Sequence, residues 1–367
     1  QAHAEAMLAF ALDTAPYLFP SAGLESRLQL VEDDLENLRL AFRWLERYDP
    51  AQCGRLASAL AQFWVRRSMW REARQISERV LALESLPLDV RALTMVDLGR
   101  AMIYQFDFGQ PEIVETALAY ARELGDVLIQ LDALLVQVTA AAVQDEFATG
   151  LAKIALARTL IADSTTPAFV ARAWTFDIFE ALFHARFGDP ELGTQLIERY
   201  LARALEHGDS LRAALLIWAS SALAQRQGDR AGVLRALQQA LARYSDVREL
   251  WSVAVISCEI GVAIVNEQPR TAAMLLGFGS RLFGILGLQS PMEYLPRLWG
   301  ASDRLIAIAG DAAVIAAFDD GMALDFEHGV ALALGLDPDG RDGAAPPASA
   351  AGVQLTRRER EVLELIK

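Results

Sequence analysis

Apolar positions along this chain recur at spacings of three and four residues through nearly its whole length, the period of one helical face. Ser210 to Gln227 and Arg230 to Tyr244 illustrate a pair of such segments, joined at Gly228-Asp229. Strand signals are almost absent. There are no sustained alternating runs and no Asn-Gly or Asp-Gly turns between apolar segments, the signature of a hairpin of strands. The most apolar run, Val253 to Val265, contains Glu259 and is too short to span a bilayer, so it reads as a buried helix. The expected class is all-α.

A longer period lies over the helical one. Taking Trp70, Gln110, Thr149, Asp189, Asp229 and Pro269 as equivalent helix starts gives spacings of 40, 39, 40, 40 and 40. Glycine precedes three of them, at Gly109, Gly188 and Gly228, as expected where a helix ends in the left-handed conformation. Phe108, Phe147 and Phe187 stand two residues before three consecutive starts. Seven residues after the starts come Ser77, Ala117, Leu156, Leu196, Ala236 and Leu276, small or apolar side chains that let neighbouring helices approach. The pattern predicts an α-solenoid of antiparallel helix hairpins over about 28–335. Its unit is longer than the 34 residues of a tetratricopeptide repeat but of the same kind. An irregular helical bundle is the competing arrangement. Arg67, Asp107, Glu146, Arg186, Arg226 and Asn266 stand three residues before the starts and are expected to face water or to satisfy terminal carbonyls.

Composition narrows what such a chain does. With 367 residues, 53% of them hydrophobic, it buries a large core. A net charge of −14 and a pI near 4.8 argue against nucleic-acid binding by the bulk of it. Arginine carries nearly all the positive charge, since Lys153 and Lys367 are the only lysines. Gln1 is no initiator methionine, and the numbering is expected to begin inside a longer protein. Cys53 and Cys258 suggest no disulfide framework and read as two buried thiols in a reducing cytoplasm. No signal-peptide pattern is read at Gln1, which carries no weight for a sequence expected to begin inside a longer protein.

Between Asp337 and Gln354 proline, glycine and alanine take over and nothing is large enough to pack, so 336–354 reads as a flexible linker. After it, Thr356 and Glu359 form a capping box, and Val362, Leu363, Leu365 and Ile366 make an apolar stripe. Leu355, Thr356, Arg358, Glu359, Glu361, Val362 and Leu363 together closely resemble the opening of a LuxR-type helix-turn-helix domain, which would start at 355 and be cut off at Lys367. The resemblance implies a transcription regulator whose complete head binds DNA. It makes Thr356, Arg357, Arg358 and Arg360 candidates for DNA contact, arginine being a good phosphate ligand. The preferred account of those arginines is solvated pairing with Glu359, Glu361 and Glu364.

A second resemblance covers both ends of the helical region. Asn37, Leu38, Arg39, Ala41 and Trp44, in the stretch Val31 to Trp44, match a phrase that opens the helical repeats of large STAND-class ATPase regulators, after a winged-helix segment. Residues 1–27 would then be the tail of that preceding segment. Ala273 to Gly277 and Gly321 to Leu334 resemble the family's closing helices. The resemblance implies ATP bound upstream, in a domain before Gln1. This chain has no Gly-x-x-x-x-Gly-Lys-Ser/Thr loop, and neither lysine can serve as one.

Catalytic chemistry is not expected. His3, His184, His207 and His328 form no metal-ligand spacing, and no nucleophile elbow occurs. Gly277-Phe-Gly-Ser-Arg-Leu-Phe-Gly284 follows no strand and reads as glycine-punctuated helix packing, not a dinucleotide loop. The acidic run Glu32-Asp33-Asp34 reads as a helix N-terminal region. Trp64, Trp70, Trp174, Trp218 and Trp251 lie in or beside the repeats, where filling the seams is the preferred role. Trp64, Trp174, Trp218 and Trp251 are nonetheless the candidates for an effector groove. The expected function is that of a cytoplasmic sensor and coupling arm, taking an effector protein or small molecule on its repeats. No cofactor, metal or membrane partner is expected, and the layout allows a homo-oligomer. A free-standing protein-interaction scaffold is the alternative.

Overall fold

Acidic caps and left-handed residues punctuate the chain into helices. In this computed structural model, which describes residues 1–18, 23–161, 166–288 and 311–338, the described residues contain helices and no strand. Asp126, Asp189 and Asp229 each accept a hydrogen bond from a backbone N–H of the first turn that follows, at 2.8–3.2 Å. Such a cap satisfies donors that the helix itself leaves unpaired. Immediately before several caps the chain turns through positive φ, at Gly125, Gly208, Gly228 and Arg248. There the next N–H bonds back to the carbonyl five residues earlier, as from Asp126 to Ala121 and from Asp229 to Ala224.

The chain divides into two compact units, Gln1–Arg212 and the residues from Ala213 on. The first opens with α1 (Ala2–Thr14), α2 (Leu24–Asp33), α3 (Leu35–Tyr48), α4 (Pro50–Ala59) and α5 (Ala61–Arg66). Hairpins follow: α6 (Trp70–Leu81), α7 (Leu88–Tyr104), α8 (Glu112–Leu124), α9 (Val127–Val143), α10 (Phe147–Ile161), α11 (Pro167–Arg186) and α12 (Pro190–Glu206). Helix α13 (Ser210–Arg226) runs across the division. The second unit continues with α14 (Arg230–Asp246), α15 (Leu250–Ile264), α16 (Pro269–Ile285), α17 (Ala312–Ala323) and α18 (Phe326–Leu334).

The predicted starts at Trp70 and Pro269 are the first residues of α6 and α16, and Asp189 and Asp229 are the caps of α12 and α14. Two starts shift: α8 begins at Glu112, two residues after Gln110, and α10 at Phe147, two before Thr149. In α10 Leu156 is exposed while Ile154 and Ala157 are buried. Only one of the three glycines before the starts turns through positive φ, Gly228. At Gly188 the need is space, because a methyl there would meet the His184 ring and Phe147. Ser68, Phe106 and Asp145 take the left-handed conformation at the corresponding turns.

From α6 to α12 consecutive helices pack against one another as hairpins, and α7, α9 and α11 also touch in succession to make one layer. Ala92, Ala117, Ala133 and Ala157 are fully buried, so the backbones come close where those helices cross. Helix α1 shares a core with α3 and α4 through Ala4, Leu8, Ala11, Leu38 and Phe42. The stretch Val31 to Trp44 is not one helix: it breaks at Asp34, whose Oδ1 accepts from Asn37 Nδ2 at 2.8 Å. Glu32 and Asp33 therefore close α2 rather than open a helix, and Glu32 pairs with Arg67 at 2.9 Å.

In the second unit α15 is buried along almost its whole length, as its apolar run predicted. Helices α16 and α17 cross at glycines. A methyl at Gly277 would overlap the Phe318 carbonyl oxygen, and one at Gly321 the Met274 carbonyl oxygen, so α16 and α17 meet backbone to backbone. Helix α18 folds onto α14, where Gln238 Nε2 donates to the carbonyls of Ala333 and Leu336 at 3.0 and 2.9 Å. Cys53 and Cys258 are free and buried, and burial pushes the Cys53 thiol up to about 12. The linker beyond Pro338 and the helix-turn-helix phrase, with Thr356, Arg357, Arg358 and Arg360, lie outside the described residues.

Candidate functional site

The polar residues that the layer α7–α9–α11 buries pair in a regular way. Arg172 of α11 donates through Nε and Nη2 to both oxygens of Asp132 on α9, at 2.8 and 2.6 Å. Each side chain is less than 15% exposed. Burial is the largest influence on Arg172 and lowers its pKa, but Asp132 outweighs it and the net shift is upward. Arg100 pairs with the buried Asp97 at 2.7 Å. Burial pushes the Asp97 carboxyl up to about 6, against the pull of Arg100.

One period beyond Arg172 stands Arg212, at the start of α13. Asp209 caps the helix by accepting from the Arg212 N–H at 3.0 Å, and its other oxygen accepts from Arg212 Nη1 at 2.7 Å. The Arg212 guanidinium lies 4.3 Å from the centroid of the Trp174 ring, and that of Arg203, from α12, lies 4.4 Å from the same centroid. His207 meets the indole edge-on at 5.7 Å. Burial holds Arg212 below the usual guanidinium value; Asp209 opposes this, while Arg66 at the end of α5 and Arg203 add to it. Two arginines with carboxylates thus behave oppositely. The one with a matched partner is raised, and the one among other cations is lowered.

Trp174 itself is 7% exposed, and its indole N–H finds no hydrogen-bond acceptor among the described residues. The Arg66 Nε is likewise buried without a partner there. A buried donor left unmade costs about 1–3 kcal/mol. The indole N–H groups of Trp64 and Trp70 are buried in the same way, whereas Arg39, Arg67, Arg79 and Arg158 hold carboxylates on other helices.

The groove candidates fall in different surroundings. Trp64 is 2% exposed and belongs to the core around α3 and α4. Trp174 is the centre of the arginine cluster. Trp218, half-buried on α13, donates through Nε1 to Glu259 Oε2 at 2.6 Å, and Trp251 is half-buried at the start of α15. Trp70 stacks on Tyr104 with ring centroids 4.0 Å apart, filling a seam. The recurrent polar positions before the helix starts do more than face water. Arg67 binds Glu25 and Glu32, Asp107 binds Arg74, and Arg186 reaches both Asp145 and the Ala142 carbonyl on the preceding hairpin.

Arg66, Arg203, Arg212 and Asp209 did not stand out in the sequence. One signal did mark Arg212: Asp132, Arg172 and Arg212 are spaced by 40 residues, one repeat each. Among the described residues no helix is long and apolar enough to cross a membrane, and no group of acidic, histidine or cysteine side chains is arranged to hold a metal. Comparison with known proteins gives no matching family model and no curated relative.

Proposed function

We propose that this chain is the sensing and coupling arm of a bacterial transcription regulator of the LuxR type, working in the cytoplasm. In this reading the stacked helices receive an effector, small molecule or protein. A complete helix-turn-helix following the phrase at Leu355–Leu363 binds DNA, and a STAND-type domain preceding Gln1 binds ATP. The observation that carries the reading is that phrase itself: a capping box, an Arg-Glu-x-Glu core and an apolar stripe in the LuxR order, after a proline- and glycine-rich tether.

Helical hairpins suit the coupling task. Each hairpin packs on its neighbours, so a ligand that prefers one packing of a few hairpins biases those adjoining them. An effector coupled in this way changes DNA affinity, and by linkage DNA changes effector affinity by the same factor. The coding sequence past the Lys367 codon tests the proposal. A turn and a second, recognition helix are expected within the next few dozen residues. A stop codon or an unrelated domain there overturns it.

A further inference from the structure

Helix α18 is the shortest described helix of the second unit, and its nine residues bury Gly329, Val330 and Ala333. An isolated helix shorter than about 12 residues is marginal in water, so α18 owes its order to docking. The apolar part of that docking is slight: a glycine set against the Phe278 ring, a valine and an alanine. Arg248, in the turn after α14, pairs with Glu327 and lies 5.0 Å from the centroid of the Phe326 ring. The two side chains of that ion pair are 67% and 64% exposed, so it contributes little.

The specific fastening is Gln238 of α14. Its Nε2 donates to the carbonyls of Ala333, Leu334 and Leu336 at 3.0, 3.2 and 2.9 Å. Carbonyls in the last turn have no partner within their own helix, and this amide supplies one from 95 residues away. Helix α17, by contrast, is seated on α16 backbone to backbone. Leu324 and Asp325, which join α17 to α18, are both extended, so one helix can move while the other stays.

We infer that α18 is a detachable clasp, docking and undocking as a unit, and that the Gln238 amide is the donor that closes it. All three bonds converge on one nitrogen, so a displacement of α14 by about 1 Å takes them past hydrogen-bond range together. The element then has two states, and whatever shifts the α14–α15 hairpin selects between them. Resting on the reading of this chain as a coupling arm, the clasp is the point where that choice passes to the tether read after Pro338.

Hydrogen-exchange mass spectrometry of the whole chain tests the clasp through three substitutions. Gln238→Leu keeps the bulk and removes the donor. Gln238→Glu puts acceptors where the donor was, and Gln238→Lys keeps donors and adds a positive charge that a helix C-terminus favours. Exchange in Phe326–Leu334 is expected to run about tenfold faster in Gln238→Leu, the worth of one or two net hydrogen bonds. It should be faster still in Gln238→Glu and close to wild type in Gln238→Lys. Helices α15 and α17 should keep their rates in all three variants, and circular dichroism checks that each is folded. A side chain that only fills space gives the opposite order, with Gln238→Leu like wild type and Gln238→Lys as fast as Gln238→Glu, and that order overturns the clasp. Equal acceleration of α15 and α17 overturns it too, since α18 then does not detach by itself. Either failure leaves the regulator reading intact if a recognition helix follows Lys367. A missing recognition helix sinks that reading and leaves the exchange rates of α18 as they are.

Discussion

At the scale of single residues, the buried charges of the layer α7–α9–α11 set the largest energies. Removing one partner of the Arg172–Asp132 pair strands a charge in the interior. Asp132→Asn should therefore lower unfolding stability by about 3 kcal/mol, read from urea denaturation. Asp97 acts in the other direction. Its folded-state carboxyl keeps its proton up to about pH 6, against 3.8 for the unfolded value. The folded chain thus binds more protons in that window, and stability from this group falls as the pH rises from 3.8 to 6. Above the window the cost of the buried charge is constant, on the order of 3 kcal/mol. Asp97→Asn should remove that slope, so the stability difference between variant and wild type should grow in the variant's favour from pH 4 to pH 6, roughly the interval between the two pKa values. A flat difference across the window would show that Asp97 does not titrate there. None of this was legible beforehand. A lone Asp in a helical pattern gives no hint whether it lies on the buried layer, because burial depends on which hairpins stack against it.

Elements were far more readable, because their boundaries are local chemistry. Asp189 and Asp229 were marked as helix starts by the forty-residue period, and the structure shows their side-chain oxygens capping α12 and α14; Gly228 announced a helix end through its freedom at positive φ. Asp229→Ala should cost about 1 kcal/mol of stability, the usual worth of a cap. Where Ser68, Phe106 and Asp145 made the left-handed turn, no residue type betrayed it, and after Phe106 and Asp145 the helix starts drifted by two. The glycine-rich stretch of α16 was read as close helix packing, and Gly277 and Gly321 show why: each abuts a carbonyl oxygen of the partner helix. Since backbone cannot retreat as a flexible side chain can, Gly277→Ala and Gly321→Ala should each destabilise by about 3 kcal/mol in thermal or urea unfolding. Gly284, which faces open space, should tolerate alanine.

For the whole molecule the consequence of stacking is locality. Helices that mostly touch their neighbours fail by neighbourhood, so Gly321→Ala should speed hydrogen exchange in α15 to α18 well before it does so in α3 to α6. Uniform acceleration across the chain would instead mark a single cooperative core. The all-helical class and the forty-residue period were decided by the sequence alone, since both follow from side-chain spacing and from caps that act within one turn. The partners across helices were decided only by the tertiary structure. Asp132 finds Arg172 forty residues away, Trp218 finds Glu259 forty-one away, and Arg203 and Arg212 meet on the ring of Trp174 from α12 and α13. Those pairings need the turn of each hairpin and the angle at which it stacks, quantities that add up over many packed side chains and are written in no single one.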